Sequence, residues 1–274
     1  LITSGEHTVQ ALNVDDWTER YSVRASNFAV SPDSCGQFLA TANDEKIQVH
    51  NSITGEILVV DPNTWSANPP FDIGVSADGR HVFGSFGTHL ASSNTTGVGD
   101  RRTLASDNAG RFTSLAPHPD EATVFFANSH ESRRVCSASF EGPDEVCLFG
   151  EMGGIARQLT VDRSGQFIAA ASEDHFVHLW DQERKQHLAA LSEHRCAVSC
   201  TAFSADSKLL VSGDESGIVC IWNIAAGHTA LVLEAHDGPV AAVAFSPDGS
   251  TLATASAYKP DGTGEIKIWV APRF

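Results

Sequence analysis

Between His194 and Ile224 the chain carries three short apolar runs: Val198–Phe203, Leu209–Val211 and Ile218–Trp222. Ser204-Ala205-Asp206-Ser207 and Gly213-Asp214-Glu215-Ser216-Gly217 separate them. Runs this short, rich in Val, Ile, Phe and Trp and bounded by small polar residues, read as β-strands joined by hairpins. In the third run both parities are apolar, Ile218, Cys220 and Trp222 on one side and Val219 and Ile221 on the other. A strand composed in this way is covered on both faces, which predicts a sheet lying between two other sheets. A fourth strand, Thr229–Leu233, closes the group.

The pattern recurs. His236–Val270 repeats it as HDGPVAAVAFSPDGSTLATAS, an inserted AYKPDGTG, and EIKIWV; Ile155–Asp181 repeats it as IARQLTVDRSGQFIAAASEDHFVHLWD. Looser copies begin at Phe28, Phe71 and Phe112. First strands therefore start near residues 28, 71, 112, 157, 199 and 241, in steps of 41–45 residues. A four-strand unit at this interval is a propeller blade. The predicted blades are 25–62, 71–106, 111–149, 155–191, 198–233 and 240–270. Residues 1–24 form a partial blade, with strands at Leu1–Gly5, His7–Asn13 and Arg20–Arg24 and no first strand before them. Seven units of about 42 residues need about 294, against the 274 present. The expectation is one domain over 1–274, seven-bladed, with six blades nearly complete and the missing strands supplied by further sequence or by a partner. Leu1 stands where an initiator Met belongs, which reads as a fragment or a processed chain, a removed targeting segment included.

The words Leu179-Trp180-Asp181, Ile221-Trp222-Asn223 and Ile268-Trp269, with the turns Ser246-Pro247-Asp248-Gly249 and Ser204-Ala205-Asp206-Ser207, resemble the WD40 family over nearly the whole chain. The resemblance implies an all-β WD40 propeller. It also implies a structural hydrogen-bond tetrad in each blade: a His before the first strand, a Ser late in the second, an Asp in the next turn and the Trp of the third. Carried onto this chain, blade four offers Ser172, Asp174 and Trp180, with Met152 near the His position. Blade five offers His194 and Trp222, with Asp214 and Ser216 in exchanged order. Blade six offers His236, Ser256 and Trp269, with Asp261 as the candidate for the Asp. Blades one to three lack the Trp; His50 and Leu12 occupy that position in the first blade and the N-terminal piece. The Ser, His and Asp within one blade have the composition of a nucleophilic triad, but their spacing follows the repeat, so the resemblance implies a structural role.

Family partners dock on loops before first strands and between second and third strands. Those loops here carry Phe71, Arg111, Arg157, Arg195 and Asp237, and Asp44, Glu45, Phe86, His130, Arg133, His175, Glu215, Tyr258 and Lys259. The insert that lengthens only one blade singles out Tyr258 and Lys259; Arg111, Arg133, Arg157, Arg195, Phe71 and Phe86 complete the candidate contact set. The implied function is a non-catalytic scaffold for protein–protein interaction within a larger intracellular complex, in cytoplasm or nucleus.

Charge narrows the partners. The formal net charge is −16, and an acidic surface repels phosphate. Arg101, Arg102, Arg111, Arg133 and Arg134 nevertheless gather in blades two and three, which keeps an RNA- or ribonucleoprotein-associated module as the alternative. No apolar run approaches the length of a membrane span. No cofactor or small-molecule substrate is implied. His175 and His178, three apart on or beside a strand, face opposite ways and cannot chelate one ion. Gly97-Val98-Gly99 lacks the strand–loop–helix setting of a phosphate loop. The six cysteines, Cys35, Cys136, Cys147, Cys196, Cys200 and Cys220, form no CxxC pair and read as reduced thiols.

Overall fold

The computed structural model describes residues 2–4, 8–13, 18–24, 31–32, 37–42, 47–61, 70, 72–95, 101–106, 111–119, 122–129, 134–142, 145–147, 152–256 and 264–270. Among them every regular element is a strand, and they form seven antiparallel sheets. The first joins β1 (Ile2–Ser4), β2 (Thr8–Leu12) and β3 (Glu19–Arg24). The second joins β4 (Ser31–Pro32), β5 (Phe38–Ala42), β6 (Ile47–Asn51) and β7 (Ile57–Asp61). The third joins β8 (Asp72–Val75), β9 (His81–Phe86), β10 (His89–Asn94) and β11 (Arg102–Ser106), and the fourth β12 (Phe112–Pro117), β13 (Thr123–Asn128), β14 (Val135–Ser139) and β15 (Glu145–Cys147). The fifth joins β16 (Ala156–Val161), β17 (Phe167–Ser172), β18 (Val177–Asp181) and β19 (Gln186–Leu191). The sixth joins β20 (Val198–Phe203), β21 (Leu209–Asp214), β22 (Ile218–Asn223) and β23 (His228–Glu234), and the seventh β24 (Val240–Phe245), β25 (Thr251–Ser256) and β26 (Glu265–Val270). Neighbours within a sheet are consecutive in sequence, as hairpins require. Sheets of three or four antiparallel strands in sequence order are consistent with the blades of a WD40 propeller, and the N-terminal piece forms a three-stranded sheet of its own.

The chain divides into two compact units, 1–126 with 137–146, and 127–136 with 147–274. In the first, Val9 and Tyr21 pack on Leu39, and the Tyr21 hydroxyl donates to the Ser52 carbonyl at 2.7 Å. Ala40, Ala42, Ile47 and Val49 of the second sheet pack on Ile73, Val75, Val82 and Ala91 of the third. In the second unit, Ala169, Ala171, Val177 and Leu179 meet Val198, Leu210, Cys220 and Trp222. The opposite face of the sixth sheet, through Cys200, Val211 and Val219, meets Val240, Val243 and Leu252. Every residue of β18 is buried, which is the two-faced burial that the doubled apolar parity predicts.

Regular irregularities run through the sheets. Arg157, Ser199 and Ala241 are each bulged out of the pairing between a first and a second strand. A second bulge falls beside the tryptophan position, at Leu179/Trp180 and Ile221/Trp222. The same break appears at Ala11/Leu12 and Val49/His50, so Leu12 and His50 stand where the fifth and sixth sheets place Trp. A bulge re-aims a side chain without ending the sheet.

Polar side chains on first strands tie the third sheet to the fourth, the fifth to the sixth and the sixth to the seventh. The Leu115 amide donates to Asp72 at 2.9 Å and the Ser114 hydroxyl at 3.1 Å. The Thr201 amide donates to Gln158 at 2.8 Å, and the Ser199 hydroxyl donates to the Val240 carbonyl. Two further turns depend on glycine or its absence. Gly217 has φ 89°, and an added Cβ would overlap the His236 carbonyl oxygen. His175 holds φ 75° without being glycine, in the equivalent turn of the fifth sheet.

Burial is the largest influence on Asp72 and pushes its carboxyl up to about 6, against hydrogen bonds from Leu115, Ser114 and Ile73 that favour the anion. The folded-state value lies above the ordinary value near 4, so its contribution to stability is full below about pH 4 and is lost as pH rises through about 6. Asp72→Asn keeps an acceptor for the Leu115 amide and removes the titration. Relative to Asp72→Asn, the native urea midpoint should fall across this window by the equivalent of about 1–3 kcal/mol. The Asp72→Asn protein should be the more stable of the two at pH 7, the gap opening between about pH 4 and 6; parallel pH profiles would contradict the assignment.

Candidate functional site

The most polar buried groups lie where the loops meet the second and third strands of the sixth sheet. His194 Nδ1 is 2.8 Å from Asp214 Oδ2, and its Nε2 is 2.7 Å from Ser212 Oγ. The Trp222 indole N–H donates to the same Ser212 Oγ at 2.8 Å. Burial alone would raise the Asp214 carboxyl, but hydrogen bonds from His194, Ser216 and the Ile218 amide hold it below the usual range. In the seventh sheet His236 Nε2 is 2.8 Å from Thr254 Oγ1, which accepts the Trp269 indole N–H at 3.0 Å; His236 Nδ1 faces Glu265 Oε2 at 3.2 Å. In the second sheet His50, fully buried, is 2.9 Å from Thr41 Oγ1.

Three sequence expectations are corrected by this geometry. The hydroxyl that joins imidazole to indole is Ser212, not Ser216, whose hydroxyl donates to Asp214 at 2.7 Å. In the seventh sheet it is Thr254, not Ser256, and the carboxylate is Glu265. In the fifth sheet the equivalent position holds Ala170, paired with His178 as Ser212 is paired with Cys220. Ser172 instead accepts the Asp174 amide N–H at 3.4 Å. With Met152 buried near the usual His position, the imidazole comes from strand β18. His178 Nε2 is 3.0 Å from Asp174 Oδ2, and its ring stacks on Trp180 at 5.6 Å between centroids. Burial opposes ionisation of Asp174, yet the bonds from His178 and Ser172 hold its carboxyl at about 2. The signal for Thr41, Ser212 and Thr254 was present in the sequence as the pleat. Each is the fourth residue of its second strand, and Thr254 lies two residues before Ser256, which matching of motif words selects.

The loop-side residues sort differently. Phe71, Arg133, Tyr258 and Lys259, with Asp44, Glu45, His130 and Asp261, lie outside the described residues. Arg157 is in β16 rather than in the loop before it, and Phe86 ends β9. The Arg157 guanidinium donates to Glu215 and, at 3.3 Å, to Glu173, so it pins the fifth sheet to the sixth. Phe86 packs on the core of the second and third sheets, with Arg101 5.4 Å over its ring. Arg102 donates to the Phe140 and Gly142 carbonyls at 2.8 and 3.3 Å. Arg111, His175, Arg195 and Asp237 are exposed.

Cys196, Cys200 and Cys220 are free thiols, and burial pushes Cys200 up to about 12. Cys136 corrects the expectation of six reduced cysteines: it is buried and disulfide-bonded. Disulfide formation needs only Cβ atoms about 3.5–4.5 Å apart, a proximity that folding can create without any sequence spacing to announce it. Among the described residues no three His, Cys, Asp or Glu side chains converge to hold a metal ion, and no helix is long and apolar enough to cross a membrane.

Residues 134–181, 185–223 and 227–269 match the family model described as WD domain, G-beta repeat. The chain is 30% identical over 138 residues to p21-activated protein kinase-interacting protein 1-like of Danio rerio, covering 50% of this chain and 37% of that protein. It is 36% identical over 129 residues to apoptotic protease-activating factor 1 of Homo sapiens, 39% of this chain and 10% of that one. It is 36% identical over 101 residues to periodic tryptophan protein 2 of Saccharomyces cerevisiae, 36% of this chain and 11% of that one. The matches thus span between a tenth and little more than a third of these relatives.

Removing the Ser212 hydroxyl leaves the buried His194 nitrogen and the Trp222 N–H without their shared partner. Ser212→Ala should lower stability by about 2–4 kcal/mol, and Ser216→Ala by less than about 1 kcal/mol. Urea unfolding followed by tryptophan fluorescence measures both, and the reverse ranking would contradict the corrected chain.

Proposed function

Because the chain is a WD40-repeat protein, we propose that it works as a non-catalytic scaffold inside a larger protein assembly. WD40 repeats are interaction modules. The observation that carries the finer reading is the division of labour among the polar groups of the second unit. His178, His194 and His236, with their carboxylates and hydroxyls, are bonded to one another inside the sheets. His175, Arg195 and Asp237 stand exposed beside them on loops anchored by those same bonds. His175 holds a backbone conformation that costs a non-glycine residue free energy, and such strain collects at recognition sites. The names of two similar proteins, one a kinase-interacting protein and one a protease-activating factor, also describe action on other proteins.

With Arg102 on backbone carbonyls and Arg101 over Phe86, the arginines of the third sheet lend the RNA-associated alternative no added support. An intracellular location, cytoplasm or nucleus, belongs to the same proposal. The Cys136 disulfide weighs against it, since disulfides persist in oxidising compartments.

The test is affinity capture from cells with quantitative mass spectrometry, comparing native protein with the triple variant His175→Ala, Arg195→Ala, Asp237→Ala. Lys208→Ala, in the turn at the other end of the sixth sheet, is the control. Stoichiometric partners should fall at least fivefold with the triple variant and stay with Lys208→Ala, at unchanged melting temperature. Equal capture by all three proteins would overturn the proposal.

A further inference from the structure

The outer half of the fifth sheet brings two ring nitrogens together. His178 and Trp180 are two apart in β18 and share a face of the sheet. Strand pairing sets His187 of β19 opposite Trp180. The His178 ring stacks on the buried indole with centroids 5.6 Å apart, and the His187 ring meets the same indole edge-on at 5.5 Å. Both imidazoles are thus oriented by one rigid ring. His178 Nδ1 lies 3.3 Å from His187 Nε2. His178 is buried, and His187 is exposed, so the pair opens to solvent on the His187 side.

The separation decides what the pair is suited to. A hydrogen bond from a nitrogen donor is best at about 2.9–3.0 Å, so 3.3 Å is long for one. Two nitrogens held at about 2.0–2.1 Å by a tetrahedral ion stand about 3.3–3.4 Å apart. On a square-planar ion, adjacent nitrogens would stand about 2.8–3.0 Å apart. The other side of His178 is also arranged for ligation. Its Nε2 is 3.0 Å from Asp174 Oδ2, and a carboxylate there keeps the proton on Nε2 and leaves the lone pair on Nδ1, facing His187. His187 presents its own lone pair at Nε2 once its proton sits on Nδ1. We propose that His178 and His187 bind a tetrahedral divalent ion of the Zn²⁺ class, with Asp174 orienting His178 and water completing the coordination. Structural zinc sites use four protein ligands, so an ion held by two is exchangeable. The proposal is independent of the scaffold reading.

The experiment is a titration of the purified full chain with Zn²⁺ at neutral pH. Binding is measured by calorimetry and by the imidazole signals in long-range proton–nitrogen NMR. One equivalent should bind and shift the ring nitrogens of His178 and His187. His187→Gln, altered at an exposed position, should keep the native circular dichroism spectrum and weaken binding at least tenfold. His89→Gln removes an exposed histidine of the third sheet and should leave the affinity unchanged. Unmoved His178 and His187 signals in excess Zn²⁺, or equal affinity in His187→Gln, would overturn the proposal.

Discussion

A β-strand with apolar residues on both faces cannot rest at a protein surface, and the whole organisation of this chain follows from that. Val177–Asp181 is buried throughout, and Val211 and Val219 face one neighbour while Leu210, Cys220 and Trp222 face the other. Each middle sheet of a unit therefore needs a sheet on either side. Short strands cannot supply enough area alone, so stability accumulates by stacking, one contact layer per repeat. The polar groups that such stacking buries must be paired where they lie. Asp72, Gln158 and Ser199 meet that demand between neighbouring first strands, and the imidazole–hydroxyl–indole chains meet it within the sixth and seventh sheets.

These two demands explain how the sheets tolerate different solutions. The sixth and seventh sheets use a His from the loop before the first strand and differ in hydroxyl and carboxylate. The fifth brings its imidazole from β18, two residues before the tryptophan. The second puts His50 in the tryptophan's place and bonds it directly to Thr41. What recurs is geometric: a bulge beside the aromatic residue in the second, fifth and sixth sheets, and a hydroxyl at the fourth residue of the preceding strand in the second, sixth and seventh.

The fold was legible because strand alternation and repeat period are averaged over many residues. Even the N-terminal piece, with Leu12 at the tryptophan position, has the bulge found beside the tryptophans of the fifth and sixth sheets. Individual hydrogen bonds were less legible, because they depend on single positions. Ser212 and Ser216 both lie near Asp214, and only the pleat decides which reaches Trp222. Arg157 reads as an available cation until two glutamates from separate turns are seen to hold it. The Cys136 bond has no local signature at all.

The left-handed turn at His175 has an evolutionary corollary. Gly217 is locked in its turn by the neighbouring carbonyl oxygen, whereas the fifth sheet admits a full side chain at the matching bend. Hairpin tips in this architecture are thus unequal in their freedom to diversify. Selection acting on such a protein can rewrite some tips and must leave others alone, and new specificities will arise at the permissive ones.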